Sequence, residues 1–265
     1  MNGVRHFLLA LQFFTRVPVT GPLAGWVGFS PAMLRASAAH FPGIGWLVGA
    51  VGAGVFVGAQ AGLPGLGGAV AAAVLSTAAT VWMTGAFHED GLADVADGLG
   101  GSADRARALE IMKDSRIGAF GAIALLLALG LKVALLAVLA GQGPACVAAA
   151  LVGAHVLSRL APLFLIRWLP YVGDQGAASK AKPLADAIGG GALLVGIAWS
   201  VPAAALLLRV MGALHGGMAL LLGALATVCV ARLLQRRLQG FTGDGLGATQ
   251  QVCELALYLA LAWRA

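Results

Sequence analysis

The chain has 265 residues, 60% of them hydrophobic and only 11% charged, with a mean hydropathy of +0.90 and a net charge of +6. A water-soluble domain carries roughly 25% charged residues, so this composition excludes an ordinary soluble globular protein. The surplus of base is no nucleic-acid footprint either, because its placement follows membrane topology.

In chain order, the opening MNGVRHFLLALQFFTRVPV is apolar but broken by Arg16 and has no small-residue cleavage site. It predicts a short helix lying in the membrane interface, not a cleaved signal. A helix needs about 20 apolar residues to cross the hydrocarbon core. The runs 41–61, 66–87, 117–140, 144–166, 188–208 and 211–231 meet that length, and 246–263, interrupted by Gln250, Gln251 and Glu254, is a weaker seventh. The runs are continuous, not alternating, which predicts helices and not a barrel. The expected fold is all-α: one polytopic transmembrane domain over 1–265, with about six to seven spans. Gly45–Gly49 and Gly54–Gly58 have the spacing that lets helices approach closely, read as packing within the subunit, with a homo-oligomer contact as the other use. Pro202 predicts a kink in the fifth span. Cys146, Cys229 and Cys253 stand singly in apolar segments without metal-type spacing.

With these spans, the N-terminal segment and the loops 88–116, 167–187 and 232–245 fall on one side. They hold thirteen of the seventeen Lys and Arg residues, which makes that side cytoplasmic. Ten of the eleven acidic residues, all but Glu254, map to the same face. The expected location is the bacterial cytoplasmic (inner) membrane, with the polar chemistry facing the cytoplasm.

The acids concentrate in FHEDGLADVADGLGG, 87–101. Asp90, Asp94 and Asp97 are spaced i, i+4, i+7, so a helix continuing past Phe87 carries them on one stripe. Like charges so placed repel, and a divalent cation relieves them. Oxygen-only ligands suit Mg²⁺, which takes one or two carboxylates and leaves positions for water and phosphate. The other reading is a solvated acidic helix end. Glu89 points elsewhere by spacing and is expected to face solvent. Gly91, Gly98, Gly100 and Gly101 leave room for a phosphate or ribose near the backbone.

Downstream, Lys113 and Arg116 flank Asp114 in LEIMKDSRIGAFG, where they serve either as phosphate contacts or as membrane anchors. In QGFTGDGLGATQ, Asp244 could join a metal site, orient a hydroxyl, or cap a turn. His88 is a general-base candidate or an interfacial hydrogen-bonding residue. Arg159 lies about 12 Å deep by helical rise; it must face the bundle interior, holding a substrate phosphate or pairing with a carboxylate such as Glu254. Lys132, near the far end of its span, is expected to snorkel outward.

These stretches resemble the cobalamin synthase family, also called adenosylcobinamide-GDP ribazoletransferase. The resemblance runs through LLALQFFTRVPV, FPGIGWLVG, FHEDGLADVADG, LEIMKDSRIGAFG, Ser158–Arg159 and TGDGLGATQQVCE, nearly the whole chain. It implies a polytopic membrane enzyme requiring Mg²⁺. In the implied reaction, the 3′-hydroxyl of α-ribazole or its 5′-phosphate attacks the cobinamide-linked phosphorus of adenosylcobinamide-GDP, and GMP leaves. The implied roles are metal binding by Asp90, Asp94 and Asp97, and substrate binding by Lys113, Asp114, Arg116 and Arg159. His88 or Asp244 would accept the hydroxyl proton.

Two positions depart from the family. A Tyr-Ala-Arg pattern common after the fourth span is replaced by YVGDQG, 171–176, leaving Lys180 or Lys182 to supply the anion contact, and Glu89 stands where the family is usually apolar. The CDP-alcohol phosphotransferase pattern begins at Asp94, Asp97 and Gly98, but Gly101–Ser102 replaces its Ala-Arg and Ile111 its glycine. Membrane prenyltransferases need two aspartate-rich motifs, and the chain has one. A transporter would place binding residues near the midplane of related halves, whereas these acids crowd one interface.

Overall fold

A computed structural model describes residues 2–173 and 188–263. Lys180, Lys182 and the end of YVGDQG lie outside the described residues. Among those described, the secondary structure is helical apart from an isolated bridge between Tyr171 and Phe241. The chain is an all-α polytopic membrane protein, and five of its helical stretches are long and apolar enough to cross a bilayer.

The N-terminal segment forms α1 (Asn2–Phe14) and two short helices, α2 (Gly21–Val27) and α3 (Pro31–Ser37). Ser30 caps α3 by accepting the Met33 amide, and a 3₁₀ turn at Ala38–His40 leads into α4 (Phe41–Gly62). Gly45 and Gly49 of α4 press against the backbone of His155, Val156 and Val152. That GxxxG pair therefore packs within the subunit, while Gly54 and Gly58 have no described neighbour within 4 Å.

The second span, α5 (Gly65–Thr84), stops short of the acidic motif, which forms its own helix α6 (Phe87–Gly101), followed by α7 (Arg105–Ile111). The third span is α8 (Ala119–Ala140). The fourth breaks at Arg159 into α9 (Pro144–Ser158) and α10 (Ala161–Trp168).

The predicted fifth and sixth spans belong to one 49-residue stretch, α11 (Gly190–Leu238). At 1.5 Å per residue a straight helix of that length would measure roughly 70 Å, more than twice the hydrocarbon thickness. It doubles back at Gly212, whose φ of 81° takes it out of the helical region, and Gly216 lies against the backbone of Leu208. Pro202, expected to kink the helix, lies within it at helical dihedrals, and the reversal is at Gly212.

The last helix, α12 (Gly243–Ala262), is buried along most of its length and packs against α6, α8, α9, α10 and α11. The predicted span weakest in hydropathy is thus a largely enclosed helix. Its polar residues need not face lipid, and the apolar character of the sheath is supplied by the helices around it.

Polar ties gather the predicted loops at one end of the bundle. The Arg16 amide donates to Met83 O at 2.8 Å, and Arg105 Nε to Leu238 O at 2.6 Å. Arg237 Nη2 donates to Leu99 O (3.1 Å) and Ser102 O (2.7 Å), satisfying carbonyls at the end of α6. The Phe241 amide donates to Pro170 O at 2.9 Å.

Candidate active site

The acidic motif does not continue α5. Gly85 (φ 70°) and Ala86 (φ 60°) both take the left-handed conformation between the two helices. For Ala86 this costs roughly 1–2 kcal/mol. The i, i+4, i+7 register survives because α6 is itself helical. Exposure falls along the stripe, with Asp90 exposed, Asp94 half-buried and Asp97 buried.

Helix α6 crosses the start of α12 closely. Gly91 lies on the Asp244 backbone and Gly247 on that of His88. Thr242 caps α12 by accepting the Gly245 amide at 3.0 Å, so Asp244 is free of the capping role and sits in the first helical turn. The crossing brings Asp244 to the aspartates of α6. Burial, then Asp244, Asp90 and Asp97, push the Asp94 carboxyl up to about 7. Asp244 is raised to about 6, chiefly by burial and then by Asp90, against an opposing backbone hydrogen bond. Among the described residues, no group of three or more His, Cys, Asp or Glu side chains converges as a ready-made metal cage.

Asp97 has a different occupation from its stripe-mates. One carboxylate oxygen accepts the Gly118 amide and the other the Gly121 amide, both at 2.8 Å. These are orphan donors at the start of α8, where negative charge is also favoured by the helix dipole. A Cβ on Gly118 or Gly121 would run into that carboxylate, which explains the IGAFG sequence. Gly121→Ala is expected to lose about 1–3 kcal/mol through this overpacking, measurable as a lower unfolding temperature in detergent.

The glycines of α6 also have protein neighbours, not the space for a phosphate expected from sequence. Gly91 abuts Asp244, Gly98 abuts Met112 and Ala108, Gly100 lies against the Phe120 ring, and Gly101 meets Ile111.

Before α8, the guanidinium of Arg116 forks onto Asp114, with Nη2 at 2.6 Å and Nε at 3.0 Å. The pair faces water, and the arginine draws the Asp114 carboxyl down to about 2. The Lys113 amide donates to Glu110 O at 3.1 Å. His88 is buried, with its ring stacked 6.4 Å from that of Phe14. Burial, then Arg159, hold its pKa well below the ordinary histidine value, so its imidazole is neutral but enclosed.

Beneath the stripe lies a polar interior that the hydropathy pattern conceals. Glu89, expected to face solvent, is buried and accepts a hydrogen bond from Gln251 Nε2 at 3.0 Å. Lys132, expected to snorkel, is buried against Glu254 at 2.7 Å. Both residues point at the enclosed α12, a neighbour that spacing along their own helices does not reveal. Arg159 is buried too; its Nη1 donates to His155 O at 2.9 Å and lies 3.1 Å from His155 Nδ1. Gln250 donates to Ser158 Oγ (2.9 Å) and to Glu254 (2.7 Å). Sequence reasoning gave Gln250, Gln251 and Ser158 no role. The signal was there in the two glutamines and the acid within an otherwise apolar span, since polar groups at membrane depth turn inward and find partners.

The similarity to known proteins extends over nearly the whole chain. Residues 6–262 match the family described as cobalamin-5-phosphate synthase. A protein of Polaromonas naphthalenivorans named adenosylcobinamide-GDP ribazoletransferase is 57% identical over 275 residues, covering 99% of both chains. One of the same name from Albidiferax ferrireducens is 59% identical over 274 residues, covering 98% of each. A third, from Ralstonia nicotianae, is 44% identical over 263 residues, covering 99% of this chain and 96% of its own. No solved structure matches.

Proposed function

Since the chain belongs to the cobalamin-5-phosphate synthase family, it is an enzyme of cobalamin nucleotide-loop assembly, and we propose the following chemistry for it. The 3′-hydroxyl of α-ribazole or its 5′-phosphate attacks the cobinamide-linked phosphorus of adenosylcobinamide-GDP. The P–O bond to GMP breaks, GMP leaves, and the hydroxyl proton passes to the protein. The reaction needs little covalent work from the enzyme. It needs in-line placement and neutralisation of phosphate charge.

The observation that carries this reading is the meeting of Asp90 and Asp94 with Asp244 where α6 crosses α12. Each charge acting on Asp94 is another carboxylate, and the carboxyl is held up at about 7. An oxygen-only donor set under mutual repulsion fits a hard divalent cation. Mg²⁺ typically uses one or two carboxylates, with water and substrate phosphate completing its shell, so three converging side chains are not required. Asp90 and Asp94 are the proposed holders. A bound Mg²⁺ would supply charge neutralisation at the diphosphate.

Asp244, raised to about 6, suits a proton acceptor near neutral pH, and its place in the first turn of α12 sets it beside the stripe. His88 is the lesser choice, because its ring is enclosed against Phe14. Lys113 and the water-facing Arg116, the latter exchanging Asp114 for a ligand, would contact substrate phosphate. Arg159 acts from the interior, through His155 and the charge of Glu254. Asp97 holds the start of α8 in place. The basic segments tied together at this end of the bundle support a cytoplasmic orientation for the site.

Purified protein supplied with adenosylcobinamide-GDP, α-ribazole 5′-phosphate and Mg²⁺ is expected to release GMP, and EDTA is expected to stop it. Unconverted substrates would overturn the reading, and full turnover in EDTA would overturn its metal.

A further inference from the structure

Helix α6 carries the proposed metal ligands, yet it is not a continuation of the span before it. The two left-handed residues Gly85 and Ala86 break the helix between it and α5. Its outer end is secured by Asp97 on the amides of α8 and by Arg237 on Leu99 O and Ser102 O. At its inner end, the first turn reaches α12 through Glu89, which accepts from Gln251 Nε2 at 3.0 Å.

Gln251 is itself immobilised. Its Nε2 also donates to Gln250 Oε1 at 3.1 Å, and Gln250 in turn binds Ser158 of α9 and Glu254, the partner of Lys132 on α8. The contact thus joins α6 to a hydrogen-bonded frame spanning three other helices. Glu89 is 8% exposed, Gln251 is 3% exposed, and Glu89 Oε2 has no hydrogen-bond partner among the described residues. A buried carboxylate with an oxygen unsatisfied is a costly way to gain stability. Such a group is better suited to specifying one arrangement among several.

We infer that Glu89 and Gln251 are positioning residues, whose hydrogen bond sets the register of α6 on α12 and so holds Asp90 and Asp94 opposite Asp244. One residue of slippage turns α6 by about 100°, breaking the bond and carrying Asp90 and Asp94 away from the crossing. Gly91 and Gly247 permit the close approach, since a Cβ at either would meet the facing backbone. The bond adds a directional tie at that crossing.

The inference rests on the metal reading above, and the test separates the two. Mn²⁺ binding to the detergent-solubilised full chain is measured by electron paramagnetic resonance, alongside the Mg²⁺ dependence of GMP release. Glu89→Gln keeps an acceptor oxygen for Gln251 and is expected to bind Mn²⁺ within about twofold of the unaltered protein. Glu89→Leu removes the acceptor and is expected to weaken binding by about tenfold, the low end for residues that orient metal ligands. Gln251→Glu sets two carboxylates face to face and is expected to weaken binding similarly. Combining it with Glu89→Gln exchanges donor and acceptor and is expected to restore affinity. Unaltered affinity in both Glu89→Leu and Gln251→Glu would overturn the inference and leave the metal reading standing. Loss in Glu89→Gln equal to that in Glu89→Leu would also overturn it, by making the charge, not the bond, the active feature. No Mn²⁺ binding by the unaltered protein would overturn both. If Glu89→Leu fails to fold, the Gln251→Glu variant and its exchange partner decide the matter.

Discussion

Asp94→Asn is expected to reduce GMP release by about 10³-fold, the upper range for losing one charge contact that stabilises a transition state, while the protein remains monodisperse in detergent. Asparagine keeps the shape and one acceptor oxygen but cannot offer an anion to a cation. Burial, and then the charges of Asp244, Asp90 and Asp97, hold the Asp94 carboxyl up at about 7, so a cation there relieves both. Wild-type turnover in this variant would remove the residue from the mechanism.

The same carboxyl sets a pH dependence. A ligand must lose its proton to hold metal, and Asp94 is raised to about 7. Apparent Mg²⁺ affinity, read from GMP release, is therefore expected to weaken as pH falls below about 7. Folding linkage in the metal-free protein has the opposite trend. Because the folded carboxyl binds its proton more tightly than the unfolded one, whose reference value is 3.8, the contribution to stability is full at low pH. It is lost as pH rises through about 7. Added Mg²⁺ is expected to reverse that loss, and thermal unfolding across the pH series with and without the cation measures it.

Glu254→Leu is expected to be the most destabilising single substitution in the interior, costing about 3–5 kcal/mol, as when one member of a buried ion pair is removed. Lys132 lies 2.7 Å from Glu254 with both side chains almost fully buried, and His155 Nδ1 is 3.6 Å away. Without the glutamate, the ammonium of Lys132 loses its 2.7 Å partner and shares with the guanidinium of Arg159 an interior whose other acid, Glu89, is engaged with Gln251. Lys132→Met combined with Glu254→Leu is expected to be more stable than Glu254→Leu alone, since an apolar pair replaces a stranded charge. Denaturant unfolding in detergent gives both numbers. Equal stability for the single and double variants would mean that Lys132 carries no penalty when its partner is removed.

Much of this architecture is written locally in the chain. Runs of apolar residues located the spans because a bilayer demands length and saturation of the backbone, both readable from one segment at a time. The division near 211 was visible for the same reason, and Gly212 supplies the turn. The register of Asp90, Asp94 and Asp97 was equally legible as helical spacing. What each aspartate meets was not. Asp97 turns to amides 21 and 24 residues away, while Asp94 meets a carboxylate on the last helix. Glu89 and Lys132 were misread because a residue's own helix cannot say that a second, fully enclosed helix lies beside it. The glycines of the acidic motif were read as ligand space when their neighbours are Asp244, Met112, Phe120 and Ile111.

The enclosure of α12 has a consequence for biogenesis. A chain emerges from the ribosome N-terminus first, so Lys132, His155 and Arg159 enter the bilayer well before Glu254 is synthesised. Until then Lys132 lacks the carboxylate it meets in the finished fold, and a charge at that depth needs water or another polar partner in its place. Docking of α12 supplies that carboxylate in the same step that brings Asp244 to the aspartates of α6.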